Sequence, residues 1–341
     1  MPATAKRLKR GFEWFRPFGR TNLRTSCLAI GGGGMISSDD VLYAFDKGIR
    51  TFFFSSDLHH FAYRPMVEAL RKLCGRGASH RDEVTLFTVT YGRTSRLILS
   101  ALFDQFAELK IDSIDMLYWG WTDTGDEQSL TQVLDHRAGW TGPGSPAHRA
   151  LAQLFGETER MKQHGVVRHI GASFHSMELA HTFAQHPGLD GAMVRFNAAH
   201  RRAAREFFPT LPARKQRPGV MTFKSMASQA GPLWTRPPNW THEWTPEPGD
   251  LYRYALSQPT VDVVLTGPMN RRDIDQSIAA VEKGPLSQEE LELVEAWGDA
   301  HRARLPPRPA APQAPRASKK ASQSTAPAKK TRTAKRPARR A

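Results

Sequence analysis

The amino-acid sequence predicts a (β/α)8 barrel over residues 1–304, followed by a disordered basic tail over residues 305–341. Two observations predict the barrel. Short apolar runs alternate with amphipathic helical stretches, and eight such units fit in about 280 residues. The runs mostly lack an in-out alternation, as expected of parallel strands covered on both faces. A doubly wound sheet is the competing architecture. It ordinarily opens with GxGxxG after the first strand and carries an acid at the end of the second. Here residues 31–34 are successive glycines, and no Asp or Glu ends the second run.

The first strand is TSCLAIGG around Cys27, and the helix after it has a capping-box-like start at Ser37–Asp40. RTFFF (50–54) precedes the helix RPMVEALRKLCG, and EVTLFTVT (83–90) precedes TSRLILSALFDQFAELK. SIDMLYW (113–119) is followed by an irregular insert and then HRALAQLFGETERMKQHG. VVRHIGAS (166–173) leads to SMELAHTFAQH, and GAMVRFN (191–197) leads to a helix near Arg201–Phe208. GVMTFKS (219–225) is followed by a Trp/Pro-rich loop and GDLYRYALSQ. VDVVLTGP (261–268) leads to RRDIDQSIAAVEKG and a last helix, SQEELELVEAWGDAHR.

Hydrophobic residues make up 40% of the chain, enough for a sizeable core. No run reaches the ~18 apolar residues of a membrane span. The basic N-terminus lacks the apolar segment of a secretory signal, so a cytoplasmic location is expected. Cys27 and Cys74 share no motif, suit a reducing compartment and cannot by themselves build a zinc site. The net charge is +15, but the tail holds 11 Lys/Arg and no acid, leaving 37 basic against 33 acidic residues elsewhere. Charge therefore does not argue that the barrel itself binds nucleic acid. The tail is rich in Ala, Pro, Lys, Arg and Ser and has no aromatic residue, so it cannot bury enough surface to order itself. It reads as a non-specific arm for nucleic acid or another polyanion, or else as a solubilising extension.

Four ordered segments resemble the aldo-keto reductases, from about Gly19 to Arg302: GRTNLRTSCLAIGGGG, AFDKGIRTFFF, LKIDSIDMLYW and MKQHGVVRHIGASFH. The resemblance implies the (β/α)8 barrel and NADPH-dependent reduction of a carbonyl. It also implies a Tyr proton donor tuned by Lys and His, with an Asp supporting the Lys, because hydride attack builds charge on the carbonyl oxygen. The residues depart from that pattern. Phe53 stands at the Asp, Leu58 at the Tyr, Val89 at the Lys and Gly120 at the His. No Lys occurs in residues 84–92 and no His in residues 113–123.

Residues just past the strand ends face a barrel's active site. They include Asp57, His59, His60, Tyr91, Trp119, Trp121, Asp123, His175, Arg195, Asn197, His200 and Lys224. Taken singly, each is an ordinary rim residue; together they argue for a small-molecule site at the barrel mouth. In an atypical oxidoreductase, His59 or Tyr91 is the acid beside Asp57, and Lys224 or Arg195 polarises the carbonyl. Asp57, His59, His175 and His200 are the alternative metal set, although no tight ligand pair such as His-x-His is present. A third reading is a catalytically inactive pseudoenzyme or ligand-binding barrel. For NADP, Ser173 matches a nicotinamide-binding Ser by resemblance. Asn197, Gly267, Arg271 and Arg272 complete the expected cofactor set, the arginines at a helix N-terminus after the eighth strand. Trp234, Trp240 and Trp244 are expected in a lid over the mouth.

Overall fold

The structure, a computed structural model, describes residues 11–92, 95–120, 146–228 and 230–303. The tail, Trp121 and Asp123 lie outside the described residues. A hairpin of β1 (Phe15–Pro17) and β2 (Arg24–Ser26) leads into the barrel. The barrel strands are β3 (Leu28–Ile30), β4 (Thr51–Phe54), β5 (Thr85–Thr90), β6 (Ile114–Trp119), β7 (Val167–Phe174), β8 (Gly191–Arg195), β9 (Gly219–Phe223) and, after a short ribbon of β10 (Ala227–Ser228) and β11 (Gly231–Pro232), β12 (Val263–Thr266). They are all parallel, and β12 pairs with β3 to close the ring. The expected (β/α)8 barrel is what forms. Among the described residues, no helix is long and apolar enough to cross a membrane.

The strand runs are apolar throughout because alternate side chains serve two cores. Phe53, Phe87, Val89, Met116, Tyr118, Met193 and Met221 fill the barrel interior. Their neighbours Phe52, Phe54, Leu86, Leu117, Ile170 and Val220 face the surrounding helices. Trp119 belongs to this outer set. It is fully buried, packing edge-on against Phe155 (4.8 Å between centroids) and Phe183 (6.5 Å). The expectation that Trp119 lines the mouth is corrected by strand parity, since Tyr118 takes the inward position.

Glycines make room for the interior rings. A Cβ at Gly171 would sit 2.5 Å from the Tyr118 ring, and one at Gly219 would sit 2.3 Å from Phe18. Phe18, from the turn between β1 and β2, thereby plugs the barrel floor and meets Phe87 at 5.1 Å. Gly19, at φ +56, lets that turn pass against the backbone of Gly219.

One device recurs along the floor. Asp115, Asp190 and Asp262, at the starts of β6, β8 and β12, each accept the backbone N–H of a neighbouring strand: Leu86 (2.7 Å), Ile170 (3.1 Å) and Val220 (2.9 Å). Each is also ion-paired, Asp115 with Arg81, Asp190 with Lys162 and Asp262 with Arg217. A charged acceptor at the strand start satisfies an end N–H and fixes register.

The helices begin where side chains cap them. Ser37, Ser176, Asn270 and Ser287 each accept the N–H of the third residue beyond, and Ser287 with Glu290 forms a full capping box. The helix expected near Arg201–Phe208 is a short π-helical turn (Ala203–Phe207) followed by a 3-10 turn (Phe208–Thr210).

Candidate active site

The described polar side chains at the C-terminal ends of the strands form two groups. The first joins β4 to β5. Asp57 accepts from Ser55 Oγ at 2.9 Å and from the backbone N–H of Tyr91 at 2.8 Å. His59 packs on the Tyr91 ring, with centroids 5.2 Å apart. The Tyr91 ring lies over Gly120, where a Cβ would come within 2.4 Å of it. Tyr91 therefore fills the space that a side chain at the end of β6 would take. Phe53 and Val89 point into the same interior. His60, one residue past His59, is held to Glu108 at 2.7 Å and turns away to the helix layer. Tyr63 leans back over Phe53 at 6.1 Å; burial, with Tyr91 and Asp57 nearby, pushes its phenol pKa well above the usual range.

The second group lies at β8 and β9. Arg195 donates to the carbonyl of Ala227 at 3.2 Å. Asn197 donates to the carbonyls of Lys224 (2.7 Å) and Ala227 (3.0 Å) and accepts the N–H groups of Ala199 and His200, both at 2.9 Å. Its amide is saturated by the protein, so it shapes the loop after β9 and has no atom left for a cofactor. Lys224 adopts φ 57, the left-handed region that favours glycine. Burial and the neighbouring Arg195 hold its ammonium below the usual lysine range, and burial alone lowers Arg195. His175 stands edge-on to Phe223 at 5.5 Å. Among the described residues, no three of His, Cys, Asp and Glu converge on a point that could hold a metal.

A cavity of about 640 Å³ opens across the ends of β3, β9 and β12. Gly31, Gly33 and Gly34 floor it, and Tyr63, Phe223, Trp234, Tyr252 and Leu265 supply apolar walls. A Cβ at Gly33 would meet nothing within 4 Å, so this backbone is open to whatever fills the space. Ser225, 2% exposed, lines the cavity, and among the described residues its Oγ has no hydrogen-bond partner. Lys224 and Gly267 line it too. Ser173 sits inside the barrel on β7, 6% exposed. At the far end the helix Arg271–Lys283 starts, with Asp273 on the cavity wall accepting the N–H of Met269 at 2.9 Å. Arg271 is engaged with Asp40 at 3.1 Å and lies over the Tyr43 ring, whereas Arg272 is exposed.

The Trp/Pro-rich loop divides its tryptophans. Trp234 is half exposed at the cavity edge. Trp240 bonds to the Trp244 carbonyl at 2.8 Å and packs on Trp297 of the last helix at 5.1 Å. Sequence reasoning missed Tyr63, Ser225, Tyr252 and Asp273. Only Ser225 carried a signal, one residue past Lys224 at the end of a strand run.

No protein-family model matches the chain, and no curated protein sequence matches it. Solved structures do. An aldo-keto reductase from Bacillus halodurans in its holo form superposes with a TM-score of 0.60 at 18% identity, over 83% of this chain and 95% of that one. A Pseudomonas aeruginosa protein assigned to the aldo-keto reductases gives 0.55 at 19% identity, over 79% and 95%. At these identities the shared property is the architecture, and the chain has the fold of the aldo-keto reductases.

Proposed function

We propose that the protein is an atypical NADP-dependent oxidoreductase that acts on a carbonyl substrate at the barrel mouth. The cavity at β3, β9 and β12 carries this reading. It offers bare glycine backbone, a buried hydroxyl with no partner among the described residues and a helix N-terminus, a donor set suited to a phosphorylated dinucleotide. When bound there, the cofactor supplies or accepts the hydride. The residues that would hold it are Gly33 and Gly267 by backbone approach and Ser225 by hydrogen bond, with Phe223 and Tyr252 as flat walls. Ser173, inside the barrel on β7, joins the cofactor set by the sequence resemblance alone and is not among the residues lining this cavity. Arg272, exposed in the first helical turn and in no ion pair among the described residues, suits a 2′-phosphate better than Arg271, which Asp40 already engages.

The chain's own work is to deliver a proton to the carbonyl oxygen. Tyr91 is the donor this geometry favours, with His59 packed on its ring and Asp57 fixing its backbone. Arg195 and Lys224 place positive charge on the opposite rim. One observation favours a second reading, a barrel that binds the same ligands without turnover. Phe53, Val89 and Gly120 leave three inward positions with no ionisable group.

Fluorescence titration of the full chain with NADPH and NADH tests the assignment. Tighter NADPH binding, levelled to that of NADH by Arg272→Ala, supports it; equal affinities in the unaltered chain refute NADP preference. Turnover of a panel of aldehydes and ketones then separates the oxidoreductase from the binding barrel.

A further inference from the structure

Arg195 ends β8, and Lys224 follows directly on the paired strand β9. Among the described residues, no carboxylate pairs with either cation. Among the described residues, the buried Arg195 Nε has no hydrogen-bond partner. Buried donors left unmatched, and like charges set side by side, are unfavourable until an acceptor arrives. The backbone adds an independent sign. Lys224 holds a left-handed conformation that glycine would adopt without strain, and Asn197 clamps it there through two carbonyls. Strain retained at a cleft points to a use for the side chain that bears it. Lys224 lines the cavity, whose wall beside it is apolar: Tyr63, Phe223, Trp234, Tyr252 and Leu265.

We propose that Arg195 and Lys224 form an oxyanion-binding site whose ligand is the carboxylate of an apolar organic acid. That this acid is the substrate or product of the reaction rests on the oxidoreductase reading; the site itself does not. An acidic carbonyl compound would anchor its carboxylate at β8 and β9 and present its carbonyl toward Tyr91 across the mouth. The same donors could serve a cofactor phosphate, so the test must tell the two oxyanions apart.

The test is calorimetric titration of the full chain with benzoate and with benzamide at fixed ionic strength, with and without saturating NADP. Benzoate is expected to bind at least about tenfold more tightly than its neutral analogue, with NADP present or absent. Arg195→Gln and Lys224→Gly each remove that preference, and Arg195→Lys keeps part of it. Lys224→Gly should melt no lower than the unaltered chain, so its loss of binding is not a folding defect. Equal affinities for benzoate and benzamide would overturn the proposal, as would a preference that survives both substitutions. Displacement of benzoate by NADP would also overturn it, assigning the cations to the cofactor's phosphates. Failure of NADP to bind while the benzoate preference stands would leave the anion site intact and bring down the cofactor reading instead.

Discussion

Asp57 ties the end of β4 to the end of β5 by accepting the backbone N–H of Tyr91 at 2.8 Å. Its other oxygen is engaged by Ser55, at 2.9 Å. A carboxylate with both oxygens occupied by its own neighbourhood is placed to hold Tyr91. Tyr91→Phe is therefore expected to lower kcat by about a hundredfold or more while the Kd for NADPH stays unchanged. Asp57→Ala is expected to fall between the two enzymes, because it loosens the donor without removing it. Steady-state kinetics paired with cofactor titration check both. A Tyr91→Phe enzyme with full kcat would remove Tyr91 from the chemistry.

The barrel floor carries its own prediction. Asp262 is fully buried, held by Arg217 through both oxygens at 2.7 and 3.0 Å and by the N–H of Val220. Asp262→Asn leaves a buried guanidinium short of its partner and is expected to cost about 3–5 kcal/mol. Urea unfolding should show it as a lowered midpoint at unchanged slope. A loss below about 1 kcal/mol would mean that solvent compensates.

Acid sensitivity is expected at the last helix. The hydrogen bonds from Arg253 hold the Glu290 carboxyl well below its usual value of 4.5, at about 2, with the capping N–H of Ser287 adding to this. A depressed carboxyl stabilises the fold fully above its unfolded-state pKa, and that contribution fades as pH falls from 4.5 to about 2. Because Glu290 is partly solvated, the contribution is about 1 kcal/mol. Glu290→Gln should destabilise the protein at pH 7 and remove that part of the pH dependence. Identical melting curves for the two proteins across this range would show that the pair contributes nothing.

The strands were legible because runs such as TFFF and TLFTVT bury both faces, which only a covered parallel sheet requires. Parity within a run was not legible, since both faces are apolar: Trp119 looked like a mouth residue and is an outer one, while Tyr118 faces in. The hairpin of β1 and β2 escaped notice because its strands are three residues each and half exposed. Asp57, His59 and Tyr91 could be gathered from strand ends alone, as barrel geometry puts such residues on one face. Tyr63 and Asp273 could not, because a helix or a loop carries each of them back to the mouth after the strand has ended. Asn197 misled for the opposite reason. Its position is that of a ligand-facing residue, but four hydrogen bonds within the chain use up its amide.

The claim on which the functional account stands is that the cavity at β3, β9 and β12 holds a nicotinamide dinucleotide. Gly33 tests it directly, since its missing side chain opens onto that cavity and touches nothing else. NADPH fluorescence should be titrated into the full chain and into Gly33→Phe, with thermal shift recorded alongside. The account predicts micromolar, saturable binding that raises the melting temperature of the unaltered chain. It predicts an unliganded melting temperature for Gly33→Phe close to the original, with NADPH binding lost. Equal binding by both proteins would place the nucleotide elsewhere, and no binding by the unaltered chain at millimolar NADPH would contradict the oxidoreductase reading outright.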